Sequence, residues 1–61
     1  MKNYYMIFEK FNVALEFAEI KVKDCDDRLC VMYKNNAYIV TDDYKEASTL
    51  GYKLVASVYS D

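Results

Sequence analysis

A reactive site in this 61-residue chain would have to be assembled from Cys25 and Cys30 and from aspartates that gather at Asp24, Asp26 and Asp27 and again at Asp42 and Asp43. Histidine is absent, which removes the commonest general base and metal ligand and with them any Ser-His or Cys-His couple. The segment "CDDRLC" sets four residues between the cysteines, a spacing that misses the Cys-x-x-Cys redox motif. Two thiolates also fall short of the four ligands of a structural zinc, so a second chain would have to complete the site. Cys30 alternates with Met32 and reads as a small core residue. In a reducing compartment both cysteines stay thiols.

The aspartates show no calcium-loop spacing with a central glycine and a terminal glutamate. Asp43 and Glu46, three residues apart, instead match a capping box. A single glycine, Gly51, leaves no room for a Gly-rich phosphate loop or a dinucleotide fingerprint. The sequence therefore names no catalytic, cofactor-binding or metal residue, and the expected protein is not an enzyme.

Binding is the remaining class of function. Eight Lys or Arg against ten Asp or Glu give a net charge of −2, so no basic field draws in a nucleic acid backbone. The stretch "MYKNNAY" interleaves aromatics with one lysine, too little charge for a single-strand groove. Carboxylates at Glu9, Glu16, Glu19, Asp26 and Asp27 suggest the opposite idea, an acidic face that imitates nucleic acid phosphates. Lys10, Lys21 and Lys23 dilute it.

The elements that would carry these residues follow from periodicity. Tyr4, Phe8, Phe11, Leu15, Ala18 and Val22 recur at spacings of four and three, which predicts a helix over 4–22 with Asn3 as its cap. Met6, Val13, Phe17 and Ile20 form a second apolar patch on its flank, so that helix wants more than one neighbour. The rival reading is a pair of strands, because "NYYMIF" is rich in strand formers and "EIKVKD" alternates. After the polar break at 23–28, "LCVMYKNNAYIVT" reads as two strands joined at Asn35 and Asn36, residues that tolerate positive φ. A two-residue loop would set Tyr33 against Tyr38 and Val31 against Val40 on one face, and Met32 against Ile39 and Cys30 against Thr41 on the other. A short helix over 44–50, stopped by Gly51, then leads to an alternating strand over 52–59.

The expected fold is one α+β domain spanning 1–61, ordered helix, strand, strand, helix, strand, with a three-stranded sheet. If the first region is instead strands, the sheet is mostly antiparallel with one short helix. The chain is 54% apolar or aromatic with seven tyrosines, more than two helices can hide if both lie on one face of such a sheet. With the long helix on the Met32 side, Val31, Tyr33, Tyr38 and Val40 look outward, joined by Val55 and Tyr59, and form a protein interface. The start "MKNYYMIFEK" lacks the apolar run of a signal peptide, and no stretch reaches the ~20 apolar residues of a membrane span. The sequence thus points to a cytoplasmic binding module, a homodimer or the partner of another protein, with no membrane contact and direct nucleic acid contact disfavoured; the alternative is an acidic nucleic-acid mimic or a nucleic-acid-associated regulator. Short, glycine-poor chains of this kind suit a phage or mobile-element inhibitor or modulator of a larger host or defence protein.

Overall fold

A computed structural model describes residues 5–24 and 28–59. The order is β1 (Tyr5–Phe8), α1 (Phe11–Lys21), a short 3-10 turn (Val22–Asp24), β2 (Arg28–Lys34), β3 (Ala37–Thr41), α2 (Tyr44–Thr49) and β4 (Lys53–Tyr59). The class is α+β, but the sheet has four antiparallel strands, in the order β1-β3-β2-β4.

The hairpin forms as its sequence requires. Asn35 and Asn36 adopt φ of 52° and 63°, two successive left-handed residues whose twist matches that of the flanking strands. Tyr33 pairs with Tyr38, Met32 with Ile39, Val31 with Val40 and Cys30 with Thr41. The second helix also follows its signals. Asp43 accepts a hydrogen bond from the Glu46 backbone N–H at 3.1 Å, and Gly51, at φ 100°, ends the helix where a side chain would be strained.

The predicted helix over 4–22 is corrected. Its first part is β1, which pairs with β3 so that Met6 meets Val40, Ile7 meets Ile39 and Phe8 meets Tyr38. Asn3, the expected cap, lies outside the described residues. The helix begins after Lys10, which makes no side-chain cap. Pairing with β3 outweighs local helix propensity here, because a strand with apolar residues on both faces gains cross-strand partners that a fourth helical turn would not.

The two helices cover opposite faces, and topology explains why. The connection from β1 to β2 passes over β3, and that from β3 to β4 passes over β2. Both step the same way across the sheet, yet β1 and β3 run in opposite directions. Crossovers of one hand must then fall on opposite faces. Ala14, Ala18 and Val22 pack with Leu29, Val31 and Val40 on the α1 side. Ala47 and half-buried Tyr52 pack with Cys30, Met32 and Ile39 on the α2 side. Residues Leu29, Cys30, Val31 and Met32 are therefore consecutive and all buried, the mark of a strand covered on both faces.

Small residues set the separation of helix and sheet. Ala14 and Ala18 are fully buried, so a longer side chain has nowhere to go. Lys34 ties the hairpin tip to the end of α2: its Nζ donates to the Leu50 carbonyl and sits 5.4 Å from the Tyr52 ring centroid. Ala18→Leu is expected to lower unfolding stability by about 1–3 kcal/mol through overpacking. Gly51→Ala is expected to cost about 1–2 kcal/mol through its left-handed backbone. Urea denaturation measures both, and losses near zero would contradict this packing.

Candidate protein-binding surface

The six residues expected to form one interface do not share a surface. Val31 and Val40 are fully buried beneath α1, because α1 covers their face and not the Met32 face. This corrects the expected placement of the long helix. The converse arrangement, with Cys30, Met32 and Ile39 left outside, does not occur either, since α2 covers them.

Tyr33 and Tyr38 lie above those valines on the same face and are half-buried. Their ring centroids are 4.7 Å apart, and Phe11 at the start of α1 stands 5.7 Å from Tyr38. The Tyr33 hydroxyl donates to Asn36 Oδ1 at 3.0 Å, which holds the hairpin loop. These aromatics close the upper end of the core, and their rings are engaged within the domain.

Val55 and Tyr59 remain accessible, at 46% and 65% exposure, but a β-bulge separates them from the valine face. Arg28 pairs with Tyr59, Leu29 with Val58, Cys30 with Ser57, Val31 with Ala56 and Met32 with Leu54. Val55 is the extra residue, and the alternation of sides shifts at that point. Tyr59 consequently shares the α2 face with Arg28, and Leu54 shares it with Met32.

The side of the molecule formed by α2 and β4 therefore gathers a different set. Arg28 places its guanidinium 5.7 Å from the centroid of the Tyr44 ring, a cation–π distance, and Tyr59 lies directly across on the neighbouring strand. Tyr44, Leu54, Val55 and Tyr59 are all exposed. Tyrosine and arginine supply broad contact area and directed hydrogen bonds at modest entropic cost, which is why they dominate binding hot spots. Arg28, the chain's single arginine, and Tyr44 were not legible as surface partners, because their meeting depends on the crossover of α2.

Of the acidic set, Glu16 and Glu19 lie on the outer side of α1 and Glu9 in the turn before it, all exposed. Val13 and Ile20, at 44% and 63% exposure, interrupt the carboxylates with apolar side chains. Asp26 and Asp27 lie outside the described residues, as does Cys25. Cys30 is a buried free thiol.

No protein-family model, curated protein or solved structure matches the chain. Among the described residues no group of three His, Cys, Asp or Glu could hold a metal ion, and no helix is long and apolar enough to cross a membrane.

The two halves of the expected interface should separate in stability. Tyr59→Ser at an exposed site is expected to change unfolding free energy by less than about 0.5 kcal/mol. Val31→Ala in the core should cost about 2 kcal/mol or more. Equal losses in chemical denaturation would contradict this placement.

Proposed function

We propose that this protein is a non-enzymatic binding module that modulates a larger protein by occupying it through the α2–β4 side. The observation that carries this reading is the grouping of Tyr44, Arg28 and Tyr59, with Leu54 and Val55 exposed further along the same strand. Such a surface has the composition of a binding hot spot, with one aromatic ring at a guanidinium, a second tyrosine on the neighbouring strand and exposed apolar residues along that strand. In a domain this small, an exposed apolar group contributes nothing to the core and favours aggregation unless a partner covers it. Modulation by coverage also needs no reactive group.

The inhibitory direction, and a target among host or defence proteins, belong to the same proposal and rest on the small, glycine-poor composition of the chain. The acidic-mimic reading is less well supported, because Val13 and Ile20 break the carboxylate surface.

The test is affinity capture from a host lysate with three baits: wild type, the double variant Tyr44→Ser/Tyr59→Ser, and Glu16→Lys/Glu19→Lys. A specific partner retained by wild type and by the glutamate variant, but at least about tenfold weaker with the tyrosine variant, supports the proposal. Loss with the glutamate variant alone would overturn it in favour of phosphate mimicry.

A further inference from the structure

Among the described residues the sheet has two open edges, and the chain treats them differently. The β4 edge carries the bulge at Val55 and a charged residue, Lys53, devices that discourage further strand pairing. The four residues of β1, "YMIF", carry no charge, proline or glycine, and β1 pairs with β3 on one side only. Met6 and Ile7 are 42% and 62% exposed. On the helix above, Phe17 meets Phe8 at a ring separation of 5.1 Å, and exposed Val13 and Ile20 lie beside it toward the outer surface of α1.

We propose that two copies of the chain pair through β1, about a twofold axis perpendicular to the sheet. A twofold in that direction makes the edge strands antiparallel and keeps the two faces of the sheet continuous. Both α1 helices then lie on the same side, antiparallel. The axis passes near Met6 by the following geometry. Phe8 is level with Phe17, and Met6 lies two residues back, ~6.6 Å along the strand. That is about one helical turn further along α1, the turn that carries Ile20.

Each Ile20 then lies on the helical turn above the paired Met6 residues, and on the opposite face Ile7 takes the register position across from Tyr5 of the other copy. An uncharged edge is what this symmetry demands, because residues at a twofold meet themselves and like charges would repel. Met6, Ile7, Val13 and Ile20 present a few hundred Å² of apolar surface per copy. Doubled, and with the strand main chain added, this approaches the ~1,000 Å² total that a specific interface needs. The α2–β4 sides are left free at the two ends of an eight-stranded sheet, so the dimer does not depend on the proposed target-binding site.

Sedimentation equilibrium at ~100 µM, above the micromolar range suited to an interface this small, tests the pairing. The wild type is expected at twice the 7.2 kDa chain mass. Ile7→Lys and Ile20→Lys, each at an exposed position and checked for native circular dichroism, are expected to sediment as monomers, while Leu54→Lys on the other edge remains dimeric. A wild-type monomer, a dimer unaffected by both substitutions, or a dimer lost only with Leu54→Lys would each overturn the proposal.

Discussion

Burial of β2 on both faces is the constraint on which the rest of this small domain depends. Leu29, Cys30, Val31 and Met32 point alternately to the two sides and are all buried, so neither side of the strand can be left to water. Covering both sides needs a helix on each face, and the described residues form two α-helices, one for each. The crossovers meet this requirement because strands of opposite direction, traversed with the same step, send their connecting helices to opposite faces. Each helix spans only part of its face, and the exposed apolar residues fall near the open edges and along the outer flank of α1.

The local signals that were legible in the sequence are those carried by backbone chemistry. Paired asparagines gave the hairpin and its register, and Asp43, Glu46 and Gly51 gave the bounds of α2 to within one residue. The break between β1 and α1 was hidden, because Glu9 and Lys10 offer neither a cap nor a glycine and because Phe8 and Phe11 continue a helical spacing by coincidence. The second apolar patch on α1 was legible. Its Val13, Phe17 and Ile20 do occupy one flank, although Met6, assigned with them to the helix, comes from the neighbouring strand.

The interface residues were the least legible part, for two physical reasons. The face covered by a helix depends on the handedness of a connection, which no residue pattern records, so Val31 and Val40 passed from surface to core. The bulge at Val55 then broke the period-two rule along β4. Tyr59 thereby moved onto the face of α2, across from Arg28, while Leu54 kept the Met32 face that strict alternation gives it.

Which helix covers which face is thus the central claim, and nuclear Overhauser contacts between side chains test it most directly. The account predicts cross-peaks from the Val31 and Val40 methyls to Ala14 and Ala18, and from Ile39 and Met32 to Ala47. Contacts from Val31 or Val40 to Ala47, with Ile39 against Ala18, would contradict it.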